Sequence, residues 1–127
     1  MHRSRLAGFI IDCKTADLDA AAGFWGAALG LPPRPPKSPE EANYIYLQTD
    51  SGDLHIEVQR VEHASRVHLD IETDDIEAEV RRLEALGAKR LERIRTWVVM
   101  EAPTGQRFCV VRPQRAGFEE NANVWNE

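Results

Sequence analysis

His68 and Asp70 stand two apart in Val67-His68-Leu69-Asp70-Ile71-Glu72, a stretch in which apolar and polar residues alternate strictly. Alternation with period two places His68, Asp70 and Glu72 on one face of a strand and Val67, Leu69 and Ile71 on the other. An imidazole beside a carboxylate can move protons, so His68 is a candidate general acid or base, with Asp12 or Asp70 orienting its ring. A solvated or hydrogen-bonded histidine that does no chemistry has the same appearance in sequence. Cys109 carries a similar pair of readings, a nucleophilic thiol or a small buried side chain. Cys13 and Cys109 lie in apolar runs without metal-type spacing, a usage that fits reduced thiols in the cytoplasm.

The elements that must position these residues come twice. Phe9-Ile10-Ile11-Asp12-Cys13-Lys14-Thr15-Ala16-Asp17 and Val67-His68-Leu69-Asp70-Ile71-Glu72-Thr73-Asp74-Asp75 read as one strand and helix start repeated, with Ile10 where the second copy has His68. Such a repeat fixes architecture ahead of any motif. A strand is expected over Leu6 to Thr15, then a helix over Leu18 to Leu29 capped by Asp17, with Leu18, Ala22, Trp25 and Leu29 forming its buried stripe and Gly30 its stop. The second helix shows Ile76, Val80, Leu83 and Leu86 on one stripe, Asp74 and Glu77 in capping-box form, and Gly87 at its end.

Between the copies, residues 31–41 hold five of the seven prolines. Regular ladder pairing is excluded over most of this stretch, leaving a stiff surface connection or, over 32–39, a lid. Strands follow over Tyr44 to Thr49 and Asp53 to Val61, and in the second half over Lys89 to Arg95, Thr96 to Glu101 and Gln106 to Arg112. The two closing hairpins match when Gly52 is set against Gly105, Tyr44 against Trp97 and Ile56 against Cys109. Trp25 is expected in the core, while Trp97 could pack there or line a binding surface. After Pro113 the chain turns polar and is expected to be loosely ordered.

Composition narrows the partners. A net charge of −5 over 127 residues disfavours nucleic acid, which requires a basic face. Lys89, Arg90, Arg93 and Arg95 alternate with Leu91, Glu92 and Ile94 and read as a solvated strand face. No apolar run approaches the roughly 20 residues that span a bilayer, and Asp12 interrupts any signal-peptide core. A soluble, cytoplasmic single domain over 1–127 is expected, its first module about 6–61, its second about 66–113, and a polar tail over 114–127.

Two tandem strand-helix-strand-strand-strand units resemble the vicinal oxygen chelate superfamily, the glyoxalase and bleomycin-resistance type. The wording agrees from Asp17-Leu18-Asp19 through Phe24-Trp25 to Leu29-Gly30-Leu31, and again in Val67-His68-Leu69-Asp70-Ile71, Leu86-Gly87-Ala88 and Ala102-Pro103-Thr104-Gly105 with Phe108-Cys109-Val110-Val111. The resemblance implies an α+β fold of two tandem βαβββ modules whose curved mixed sheets enclose a cleft, with the helices outside. It also implies a ligand-binding cleft lined by Ile10, Asp12, Ile56, His68, Asp70, Trp97 and Cys109. The family's metal enzymes put one ligand on the first strand of each unit and another, usually Glu, four residues after the glycine of each last hairpin. Those positions are Ile10, Ile56, His68 and Cys109, and the two isoleucines cannot donate to a metal that needs three or four N, O or S ligands. His55 and Glu57 fall on the face opposite Ile56, and the strand separation of His68 and Asp70, about 6 to 7 Å, makes a shared ion a poor fit.

The sequence is therefore expected to specify a glyoxalase-like protein that binds a small organic molecule without the family's full metal site and without a cofactor. The alternative is a lyase, isomerase or acid–base enzyme using His68 with Asp12, Asp70 or Cys109, with an atypical divalent metal ion on His68 and Cys109. A homodimer is compatible with either.

Overall fold

The computed structural model describes residues 1–126, so the expected polar tail is seen as far as residue 126. Strands and helices are mixed as expected for an α+β chain: β1 (His2–Cys13), α1 (Leu18–Leu29), β2 (Tyr44–Leu47), β3 (His55–Arg60), β4 (Arg66–Thr73), α2 (Ile76–Ala85), β5 (Lys89–Ile94), β6 (Trp97–Glu101), β7 (Arg107–Val111), α3 (Phe118–Asn121) and β8 (Asn123–Trp125). The second copy is a full βαβββ series. Contacts divide the chain into two units, one of Phe9–Val67 and one joining Met1–Gly8 to the segment from His68 onward, so β1 contributes to both.

In the unit Phe9–Val67, α1 forms where the sequence places it. The Asp17 carboxylate accepts from the Ala20 amide at 3.0 Å, and Gly30 closes the helix in the left-handed region at φ 71°. Ala22 is buried with Ile45, Leu47 and Val58, and Leu18, Trp25, Cys13 and Ile56 pack around them. Leu29 is an exception to the expected stripe. It is 47% exposed, because the chain turns away at Gly30 before the last helical turn can cover it. Gly26 has a packing role that no substitution could share, since a Cβ there would lie 2.8 Å from the Leu31 carbonyl oxygen.

The proline-rich stretch stands where a second strand would be. Pro33 bridges Leu47, the Arg34 amide donates to the Tyr46 carbonyl at 2.8 Å, and the Pro32 carbonyl accepts from Gln48 at 2.9 Å. Prolines lack donors but keep acceptors, so the segment can hold a sheet edge at a few points without forming a ladder. A single 3-10 turn follows at Pro39–Glu41.

In the other unit, β4 pairs with β7 in parallel, and β7–β6 and β6–β5 are antiparallel. Val80 and Leu83 of α2 are buried with Val98, Met100 and Val110, and Ile71, Ile76 and Phe108 pack against them. Three expectations need correction here. The N-cap of α2 is Asp75, accepting from Ala78 at 3.0 Å, while Asp74 accepts from the Arg3 amide at 2.8 Å. Leu86 is the C-cap and is exposed, so the stripe ends at Leu83. Of the three apolar β4 residues expected on the helix side, Ile71 packs against the core under α2, whereas Val67 and Leu69, nearer the start of the strand, are exposed.

The tail is ordered, against expectation. β8 pairs with β1 in the register His2↔Trp125, Arg3↔Val124 and Ser4↔Asn123, which explains why β1 begins at His2 instead of Leu6. Trp125 donates to Ser4 Oγ at 2.8 Å and lies under the Arg82 guanidinium at 3.9 Å, and Phe118 is buried. Arg82 in turn holds Glu79 through two 2.8 Å contacts, and His2 Nε2 lies 2.7 Å from the same carboxylate. Glu72, also fully buried, accepts from Arg5 Nε at 2.6 Å and from the Gln114 and Arg115 amides at 2.6 and 3.2 Å. Two buried carboxylates thus bind the tail to the sheet. Isolated charges would be costly there, but each is met by several donors.

Burial pushes the Glu79 carboxyl up, but the donors Arg82, His2 and Ser4 outweigh it and leave it below the ordinary carboxylate value. A carboxyl depressed on folding stabilises above its unfolded value and loses that contribution as pH falls through its folded value. Glu79→Gln is therefore expected to lower stability by about 3 kcal/mol at pH 7. The deficit should shrink below about pH 4, measured as urea midpoints of both proteins at pH 7 and pH 3.

Candidate functional site

The pleat decides which side chains are available for chemistry. In the unit containing α2, Ile71, Val98, Met100, Phe108 and Val110 are committed to the helix side. Their neighbours His68 and Asp70 on β4, Cys109 on β7 and Trp97 on β6 therefore face the opposite side. Parallel pairing sets Asp70 directly beside Cys109, and antiparallel pairing sets Val99 on the other flank of Cys109. Position on the strands thus follows from the apolar residues alone.

His68 Nε2 lies 3.6 Å from Asp70 Oδ1, and one donor atom from each of His68, Asp70 and Cys109 falls within 4.8 Å of the other two. The strand spacing that argued against a shared site is a backbone distance. The side chains converge and close most of it. Asp70 is buried and His68 and Cys109 are half-buried, so the imidazole and thiol remain reachable from solvent. Trp97, also half-buried, is on the same face.

Such a group can work in two ways. A carboxylate beside an imidazole fixes the ring and its tautomer, leaving the other ring nitrogen to exchange a proton with a bound molecule. Alternatively, N, O and S donors sit about 2.0 to 2.3 Å from a bound zinc-type ion in tetrahedral geometry, so neighbouring donors stand about 3.3 to 3.8 Å apart. The 3.6 Å between His68 and Asp70 already falls in that range, and a separation as wide as 4.8 Å within the trio would have to close by about 1 Å. Three protein donors with one position left for water or substrate is the pattern of an open metal site.

In the unit Phe9–Val67 the site residues expected from sequence fare unequally. Ile10 and Asp12 are both buried, and their parity is opposite to that of Cys13, which packs toward α1. Asp12 faces Arg66 at 3.8 Å. Burial and the Asp12 charge raise the Cys13 thiol, keeping it protonated and unreactive. Ile56 is a correction. It packs on the α1 side with Ile45, Leu47 and Val58, so it is a core residue and lines no polar face.

The slip has a simple cause. Val58 and Val110 occupy equivalent places under their helices, as do Leu47 and Met100, yet the first pair of strands spends one residue more between them. Matching glycine to glycine therefore shifts β3 by one position. The true counterpart of Cys109 is Glu57, and of Phe108, Ile56. On the side of β2 and β3 away from α1 the structure brings Tyr46 opposite Glu57, with His55 Nε2 3.9 Å from Glu57 Oε1 and its ring edge-on to Tyr46 at 6.0 Å, a group in which His55 and Glu57 lie opposite Ile56 as expected. Burial first, and then the Glu57 charge and its hydrogen bond from the phenol, push Tyr46 far up, so it stays a neutral donor. The readable signal was His55-Ile56-Glu57-Val58 itself, where two aliphatic residues alternate with two polar ones.

Comparison with known proteins follows the same lines. The family model for the glyoxalase-like domain matches residues 8–111. The Mn(II)-bound glyoxalase from Novosphingobium aromaticivorans superposes with a TM-score of 0.63 at 18% identity, covering 100% of this chain and 43% of that one, so this chain spans less than half its length. A hypothetical protein from Bacillus halodurans gives 0.63 at 12% identity, with 97% and 99% covered. A methylmalonyl-CoA epimerase in complex with methylmalonyl-CoA gives 0.56 at 16%, with 89% and 98% covered. No curated protein matches significantly in sequence. With its family model spanning both copies of the repeat and its fold shared with these structures, the chain belongs to the glyoxalase-like domain family of the vicinal oxygen chelate superfamily.

Proposed function

We propose that the chain binds a small organic molecule at the sheet face carrying His68, Asp70 and Cys109, with His68 as the polar anchor, Asp70 as the group that orients it and Trp97 as an apolar flank. The observation that carries this reading is the convergence of three donor atoms within 4.8 Å on the strand face opposite the one packed under α2. A strand face that presents a few polar groups at one point with an aromatic on the same side suits a ligand with one carbonyl or carboxylate and an apolar body. A structural neighbour holds methylmalonyl-CoA, which makes acyl thioesters and small carboxylic acids the first ligands to try.

The same convergence favours a second reading, in which His68, Asp70 and Cys109 hold a divalent cation and the chain is a lyase or isomerase. Bound there, the ion would polarise a substrate oxygen. His68 and Asp70 would be committed as ligands, and proton transfer would pass to another group.

Metal analysis separates the two. The purified protein is exposed singly to Zn(II), Ni(II), Mn(II) and Fe(II), desalted and measured. Stoichiometric metal that is lost in His68→Ala would overturn the metal-free reading and establish the second.

Thermal scans test the first directly. A ligand at one hundred times its dissociation constant stabilises by about 2.7 kcal/mol, a rise in Tm of roughly 10 °C for a chain of this size. The expected result is such a rise with methylmalonyl-CoA or a small carboxylic acid and no bound metal. His68→Ala should weaken binding by roughly tenfold to a hundredfold, the worth of one good polar contact, while leaving the ligand-free Tm within a few degrees. A ligand-induced shift unchanged in His68→Ala would remove His68 from the site.

A further inference from the structure

The β2–β3 surface of the unit Phe9–Val67 carries a second constellation that the proposed His68 site does not use. Tyr46 is its centre. Tyr44 meets the Tyr46 ring edge-on at 5.6 Å and 87°, and His55 does so at 6.0 Å and 74°. The open face of the Tyr46 ring is covered by a guanidinium, that of Arg34, at 4.5 Å from the centroid. Glu57 accepts from the Tyr46 hydroxyl, and the Glu41 charge acts on the same phenol.

Aromatic rings with carboxylates around them make a surface that attracts a planar cation through its face and charge together. Here the chain's own arginine supplies that cation. Its hold is weak: the guanidinium reaches Glu41 Oε1 and the Pro35 carbonyl at 3.4 Å each, long for hydrogen bonds of a charged donor. Arg34 also sits on a segment tied to the sheet at only a few points, the Arg34 amide to Tyr46, the Pro33–Leu47 bridge and the Gln48 amide to Pro32. Its side chain is a quarter exposed, so solvent reaches the contact.

We infer that the Tyr44–Tyr46–His55 cluster with Glu57 is a binding site for a planar organic cation of the guanidinium or amidinium class, occupied in the free protein by Arg34, which the ligand displaces. The segment bearing Arg34 then acts as a competitor built into the chain. Affinity in the intact protein is reduced by the fraction of time Arg34 covers the ring.

Benzamidine and its neutral isostere benzamide test this by calorimetric titration of the full chain. Arg34→Ala should bind benzamidine about tenfold more tightly than the unaltered protein, the worth of one partly exposed cation–aromatic contact, with no matching gain for benzamide. In the Arg34→Ala background, Tyr46→Leu should abolish the gain, and Glu57→Gln, which keeps size and removes charge, should reduce it several-fold should Tyr46→Leu fail to fold. In the unaltered protein, benzamidine should also move the Arg34 Hδ resonances from ring-shifted to ordinary values. Equal affinity for benzamidine and benzamide in Arg34→Ala, or a gain that survives Glu57→Gln, would overturn the inference. None of these outcomes depends on His68.

Discussion

Everything that can do chemistry in this chain is placed by what its neighbours must bury. A strand's side chains alternate, so each aliphatic residue drawn beneath a helix forces the next residue to the far side. In one unit Val98, Met100, Phe108 and Val110 are drawn under α2, which leaves Trp97 and Cys109 outside; in the other Ile45, Leu47, Ile56 and Val58 are drawn under α1, which leaves Tyr46, His55 and Glu57 outside. Burial of each aliphatic side chain contributes about 1.5 to 3 kcal/mol. A one-residue slip would forfeit several such contributions at once, so the register of the polar face is as secure as the core.

That constraint also explains how much could be read from sequence. The repeat, both helices, the Asp17 cap, the hairpin at Ala102 to Gly105 and the polar face of β4 are local patterns, and local patterns are visible in one chain. Ile56 departs from the position implied by Gly52 and Gly105 because glycines mark turns, whose lengths drift. The aliphatic pair Ile56 and Val58 was the sounder anchor, since packing under a helix tolerates no drift. The Asp74 and Asp75 ambiguity had a different origin. Both can cap, and the choice fell to Arg3, far away in sequence, whose amide engages Asp74.

The ordered tail was hidden for a further reason. Its composition is polar, and only Phe118 and Trp125 signal packing. What holds it is a pair of buried carboxylates, Glu72 and Glu79, that lie outside it. Glu72 shares its face with His68 and Asp70, yet it is spent on Arg5 and the amides of Gln114 and Arg115. Three acidic or basic residues on one strand face therefore divide their labour: the residue nearest the tail is structural, and the two beyond it are left to converge with Cys109.

The pairing of β8 with β1 bears on how the chain reaches its native state. Ser4 and Trp125 are 121 positions apart, so this pairing joins β1 to the last strand of the described residues. The entropy of closing so long a loop grows only slowly with length, but the contact cannot form before the intervening elements have drawn the ends together. Until β8 docks, the His2–Ser4 end of β1 lacks this partner, so the pairing is expected late in folding, after the local helices and hairpins have formed.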